Sequence, residues 1–246
     1  MSPLAQQIGR ITGVTVTALL LVSAAVAGYM MTPRQRPCVS LDYIITDADE
    51  RLYITEGELN RLLLSKELYP VGRALPVGAL HRIERAVTDH PMVRHAECYC
   101  TPRQQMRIRL SQRVPVLRVE TPVEEYFIDA DRRVMPFRET VRDTVLTVRG
   151  YVSPVEAAGE LTTFALWLAD NPYWQRRVHH VYVQSHYRIY LYMRGGQPRV
   201  LLGTISGYER KLAKLRKFFD NSPEEILRKP YQEWDIRFRG QVVGRL

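Results

Sequence analysis

Charge of one sign never accumulates along this chain. Lys and Arg total 35 against 26 Asp and Glu, a net charge of +9, yet the signs interleave, as in YERKLAKLRK and FIDADRRVMP, without a long like-charge block. No nucleic-acid motif accompanies the surplus, so it reads as a solvated basic surface and nucleic acid is not expected as a partner. Catalytic patterns are missing as well. The histidines His81, His90, His95, His179, His180 and His186 show neither H-E-x-x-H nor triad spacing. Gly203, Ser206 and Gly207 miss G-x-S-x-G because the serine comes one place late. The chain therefore reads as a non-enzyme with no cofactor. His179 and His180, neighbours in an expected strand, should face opposite ways.

Cysteine is scarce, and two of the 3 residues lie in HPMVRHAECYC, His90 to Cys100. That cluster raises the question of zinc, but His90 belongs to a helix-ending His-Pro, and Cys98 and Cys100 share one face of a strand without C-x-x-C or H-x-x-x-H knuckles. No metal is expected there. In an oxidising compartment Cys38 pairs with Cys98 or with Cys100 and leaves one odd thiol, and the sequence does not choose between them.

Long apolar runs are absent but for one. Ile11 to Met31, ITGVTVTALLLVSAAVAGYMM, carries no charge, and as a helix it reaches about 31 Å, the thickness of a bilayer core. A cleaved signal peptide is the rival, with Ala24, Ala25 and Ala27 as small residues for cleavage. The run exceeds the usual apolar region of such peptides, which favours an uncleaved anchor. Arg34 and Arg36 after the span outnumber Arg10 before it, so the positive-inside count does not set orientation.

Beyond the span the chain is an α+β protein. VSLDYIIT reads as a strand. Thr55 and Glu58 form a capping box ahead of a helix with Leu59, Leu62, Leu63 and Leu68 on its apolar face. A second helix, Val77 to Thr88, carries Leu80, Ile83, Ala86 and Val87. VRHAECYCT and then QMRIRLSQRVPVLRVE read as the next two strands. In the second half EEYFID and RRVMP make a hairpin, and VLTVRG is a strand. SPVEAAGELTTFALWLADNP is a helix capped by Ser153, with Pro154 first and Glu156 closing the box. VHHVYVQS and YRIYLYMR are strands, followed by a Gly195-Gly196 turn and RVLLG. Ser206 and Glu209 cap a helix to about Phe219, and EWDIRFRG and QVVGRL close the chain.

The short start and single span, HPMVRHAECYCTP, QRVPVLRV with its Arg-x-Pro, YFIDADRRVMP, NPYWQ and RKLAKLRKFF together resemble the FtsQ (DivIB) family of bitopic cell-division proteins, most closely the Bacteroidetes variety. The resemblance covers essentially the whole chain. It departs in two places: Ala130, Asp131, Arg132 and Arg133 stand where the family has a glycine turn after its Ile-Asp pair, with Asp able to take a left-handed position, and Cys100 is a second thiol. The resemblance implies a cytoplasmic segment at 1–10, a transmembrane helix at 11–31, a POTRA domain at 37–119 with strand, helix, helix, strand, strand order, and a mixed β domain with two helices at 120–246. The join is expected near Glu120 to Pro122.

The resemblance further implies a scaffold of the divisome in the inner membrane at the septum, its bulk periplasmic, with FtsB and FtsL as partners and FtsK and FtsW/FtsI as further candidates. Strand addition at a C-terminal edge is the expected mechanism. Carried onto this chain, that edge is Tyr231 to Val243, with Tyr231, Trp234, Ile236 and Phe238 as anchors and Arg237 and Arg239 reading an acidic partner; the same apolar residues suit a core strand equally well. Arg113 and Pro115 match the Arg-x-Pro, and Pro115, without an N–H, should mark an edge or bulge. The competing readings are a POTRA-containing envelope protein in outer-membrane protein transport or assembly, and a wall hydrolase, for which no catalytic constellation is present. Too few strands follow Val119 for a transmembrane barrel.

Overall fold

The computed structural model describes residues 21–24, 36–47, 52–139 and 145–246. The expected span therefore lies, apart from 21–24, outside the described residues; 21–24 are helical. Among the described residues no helix is long and apolar enough to cross a membrane.

The first unit runs β1 (Ser40–Ile45), α1 (Glu56–Ser65), α2 (Ala79–Thr88), β2 (Val93–Cys100) and β3 (Gln105–Gln112), the expected order. The Thr55 hydroxyl accepts the Glu58 N–H while the Glu58 carboxylate accepts that of Thr55, so α1 starts where the sequence places it. Its sheet has the order β1-β3-β2, β1 parallel and β2 antiparallel to the centre. Leu59, Leu63, Ile83 and Val87 from the helices bury against Met106, Ile108 and Leu110 of β3, because alternate residues of a strand share a face.

The second unit is a nine-stranded mixed sheet. It comprises β4 (Pro115–Glu120), β5 (Glu125–Asp129), β6 (Val134–Pro136), β7 (Leu146–Gly150), β8 (Val178–Ser185), β9 (Arg188–Met193), β10 (Arg199–Gly203), β11 (Glu233–Asp235) and β12 (Val243–Arg245). Their spatial order is β12-β11-β10-β9-β8-β7-β4-β5-β6. Val148, Val181, Leu191, Val200 and Trp234 pack with Phe164, Leu168, Leu212 and Leu215 of α3 (Thr162–Ala169) and α4 (Tyr208–Asn221) in one core. The alternate residues Tyr182, Tyr192, Glu233 and Asp235 turn to the other face.

Several expectations are corrected. QMRIRLSQRVPVLRVE is not one strand: it breaks at Arg113 and Val114 into β3 and β4, which belong to different sheets. The chain thus passes from one sheet to the other at Arg113 and Val114. Thr121 to Glu124 form the tight β4–β5 hairpin, held by the Thr121 hydroxyl accepting the N–H groups of Val123 and Glu124. The expected single helix after Ser153 keeps its capping box but is interrupted. Pro154–Glu156 leads into a π-helical segment, Ala157–Leu161, where Gly159 has ψ −121°, and only then into α3. Ser206 does not cap α4; the N-cap is Gly207 at φ 69°, without a side-chain bond. In the β5–β6 turn the left-handed residue is Arg132, φ 65°, instead of Asp131. Its guanidinium reaches the carbonyls of Ala158 and Gly159 and the Thr163 hydroxyl, which ties the turn to the helix interruption. His179 and His180 do not diverge. The ladder shifts register between Val178 and His180, bringing their Nδ1 atoms within 2.8 Å, with His180 stacked on Tyr192.

The two units share a core. Phe127 and Met135, from the outermost hairpin of the large sheet, are fully buried among residues of the first unit, with Phe137 against them. Arg113 donates to Asp129 at 2.6 Å, and Asp131 pairs with Arg94 at 3.0 Å. Arg138 meets the capping-box Glu58 at 2.8 Å.

Candidate partner-binding site

β12 terminates the large sheet. It pairs antiparallel with β11, which is itself parallel to β10, and among the described residues nothing pairs with its outer side. The opposite end, β6, is three residues long, contains Pro136 and is folded against the first unit. The free edge of the sheet is thus Val243–Arg245, at the end of the stretch the sequence singled out, and β11 is an interior strand.

The expected anchors sort by alternation. Trp234 is 4% exposed and Ile236 is fully buried; both face the helices and belong to the core. Tyr231 is half-buried, its ring 4.3 Å from that of Trp234. The two rings leave no room at Gly244, where a Cβ would lie 2.4 Å from Tyr231 Cε1 and 2.9 Å from Trp234 Cζ3. These aromatics therefore hold β12 in place from beneath and offer little surface themselves. Arg237, Phe238, which is 45% exposed, and Arg239 are the members of the set that are exposed.

On the other face lies a charged ladder that the sequence reading missed. Asp235, with no side-chain exposure, accepts from Arg237 at 3.0 and 2.7 Å and from Arg245 at 3.0 Å. Glu233 pairs with Arg199 at 3.0 Å and with Arg245 at 3.4 Å. Burial alone would raise the Asp235 carboxyl, but the Arg237 hydrogen bonds and the charges of Arg237 and Arg245 pull it below the usual range. Arg237 is accordingly committed within the chain. The signal was available: Glu233, Asp235 and Arg237 alternate with Trp234 and Ile236. Lys214 of α4 donates to the Ile236 carbonyl at 2.9 Å and also to that of Phe238, fixing the turn where the chain leaves β11.

Arg113 and Pro115 lie far along the sheet from β12, at the join. The β4–β5 ladder shifts register between Pro115 and Leu117, the irregularity that a missing N–H calls for. The cysteines are free thiols. Cys38 is buried with its thiol toward the Ser40 carbonyl. Burial and the nearby Glu84 push the Cys98 thiol up to about 12, and burial raises that of Cys100. The remaining members of the histidine-rich stretch also have separate partners: His90 Nδ1 accepts the Met92 N–H, and His95 faces Glu97 at the surface.

A small α/β unit of POTRA order, joined through a shared core to an open mixed sheet with helices on one face, defines a two-module α+β protein. A family model described as FtsQ/DivIB, C-terminal related, matches residues 114–245, and one described as a POTRA-like domain matches 36–111. The chain belongs to the FtsQ/DivIB C-terminal related family and is an FtsQ/DivIB-type protein, a division-related scaffold class. No curated protein matches it. The matched segments abut at 112–113, where the structure changes sheets.

Proposed function

We propose that this protein is a non-catalytic, membrane-anchored scaffold of the bacterial divisome that binds FtsB and FtsL by strand addition at β12. The observation that supports this most is the unpaired outer side of β12 at the end of a nine-stranded sheet. A partner strand there satisfies its own backbone groups and those of β12 together. Phe238 and Arg239 flank the edge and supply side-chain contacts. The span at 11–31 anchors the chain in the inner membrane with the folded mass in the periplasm, at the septum, where FtsK and FtsW/FtsI are further partners. The transport reading has only the POTRA-like module in its favour; the second module is an open sheet.

The test is capture of detergent-solubilised FtsB and FtsL by the purified full chain, compared with Gly244→Val and Phe238→Glu. The valine displaces the Tyr231 and Trp234 rings and detaches β12, so capture should be lost while circular dichroism retains the fold. Undiminished capture by folded Gly244→Val would sink the edge mechanism.

A further inference from the structure

The end of the first unit from which β1 starts is basic and carries bare apolar side chains. Residues 36–39, the loop 66–78 and the turn 101–104 meet there. The Cys38 N–H donates to the Arg73 carbonyl and the Gly72 N–H to that of Cys38, each at 2.9 Å, while the Val39 N–H reaches the Gln104 carbonyl at 2.8 Å. An open hollow of about 660 Å³ lies between the segments, with half-buried Leu75 and Leu80 in its wall. Val77, 97% exposed, stands at its rim, next to Gly78, whose φ of 82° begins α2. Pro76 and Pro102 beside it are also exposed. The three segments hold Arg36, Lys66, Arg73 and Arg103, all exposed, against Glu67 alone. Among the described residues no carboxylate lines the hollow.

The tether decides the occupant. Met31 ends the expected span and Arg36 opens the first unit, and the peptide steps between them reach at most about 18 Å. A span at 11–31 therefore keeps this end beside the bilayer, at a high effective lipid concentration where weak attraction suffices. Surplus cations there meet lipid phosphates, and Val77 and Pro76 suit the boundary between headgroups and acyl chains; interfacial binding combines these two contributions. We infer that this end of the first unit docks on the anionic phospholipid surface of the membrane that holds the span, with Val77 inserted and Arg36 and Arg103 on phosphates. The inference rests on the reading of 11–31 as a span and goes beyond it by giving the first unit a membrane contact of its own. The backbone bonds that pin loop 66–78 to residues 36–39 present the apolar tip and the arginines together.

The experiment places the full chain in nanodiscs and compares Val77→Trp with the unsubstituted protein, whose Trp167, Trp174 and Trp234 all belong to the second unit. In phosphatidylglycerol discs the added emission should be blue-shifted and quenched by lipids brominated on the acyl chain. Phosphatidylcholine discs, or Arg36→Glu/Arg103→Glu in the same background, should lose both effects. In the unsubstituted chain, amide exchange across 72–78 should be slower in phosphatidylglycerol than in phosphatidylcholine discs, a difference that a tryptophan driving its own insertion does not produce. Unshifted and unquenched emission from chains that co-elute with anionic discs overturns the docking and leaves the span reading intact, with a protein as the occupant to seek. Equal emission or equal exchange in the two lipids, or indifference to the charge reversals, overturns recognition of the anionic headgroup. A folded chain that never enters the discs sinks the span reading and the docking with it.

Discussion

Replacing Arg113 by methionine should cost this protein far more than an ordinary surface substitution. The Arg113 side chain is 15% exposed and its Asp129 partner 3%, at 2.6 Å. Removing the cation leaves a buried carboxylate that retains, among the described residues, the Arg133 N–H on its other oxygen, at 2.7 Å. Breaking one side of such a pair costs about 3–5 kcal/mol. For a folded mass of this size, each kcal/mol corresponds to about 2–4 °C, so Tm should drop by about 6–20 °C. The pair also spans the join, and Phe127 and Met135 lie in the core of the first unit. The melt of Arg113→Met should therefore remain a single transition at lower temperature. Thermal circular dichroism of the full chain measures both quantities. Arg113→Met/Asp129→Asn should recover part of the loss, because the asparagine carbonyl still accepts from Arg133 and no charge is stranded. A Tm change under about 2 °C for the single variant, or no recovery in the double, would refute the reasoning.

Gly150, at φ 110°, would place a Cβ 2.1 Å from the Val183 carbonyl oxygen of the neighbouring strand; Gly150→Ala should cost more than about 2 kcal/mol by strain and clash, read from urea denaturation. His180 has its pKa lowered to about 4, by burial first and then by Arg149 and His179. Its folded value lies below the unfolded one near 6.5, so it contributes stability at neutral pH that is lost as pH falls from about 6.5 to 4; His180→Phe should show a flatter Tm profile across that window, and parallel profiles would contradict the assignment. Asp235, held below its normal value, contributes stability above about pH 4 that disappears as pH falls through its lower folded value. Asp235→Asn should therefore lower Tm at pH 7 by more than it does at pH 3, and an equal loss at both would count against it.

Much of the architecture was legible because local chemistry and burial agree. The Thr55–Glu58 and Ser153–Glu156 boxes start helices where the pattern says they should, and the alternation of Met106, Ile108 and Leu110 is the core face of β3. The errors arise where tertiary context overrides local pattern. QMRIRLSQRVPVLRVE keeps strand character through Arg113 and Val114, and nothing local reveals that its halves join different sheets; only the Asp129 partner of Arg113, in another strand, does so. Gly159 and Gly207 are helix-boundary features whose conformations depend on Arg132 and on the chain entering α4. At the candidate site, aromatic and β-branched content pointed to the stretch that runs into β12, but composition cannot assign inward and outward faces. Period-two alternation through Glu233, Asp235 and Arg237 would have placed Trp234 and Ile236 in the core. Gly244, the residue that lets β12 lie against two rings, carries no signal of its own.

The burial of Phe127 and Met135 in the first unit has a consequence for how such proteins diversify. A fragment ending at Gln112 would carry an open apolar socket where those two side chains belong, and the rest of the chain would expose the matching plug. Exchange of the POTRA-like module between relatives is therefore tolerated only if the β5–β6 hairpin travels with it or the socket is rebuilt. The functional seam of this protein lies one hairpin beyond the seam drawn by the chain's change of sheet.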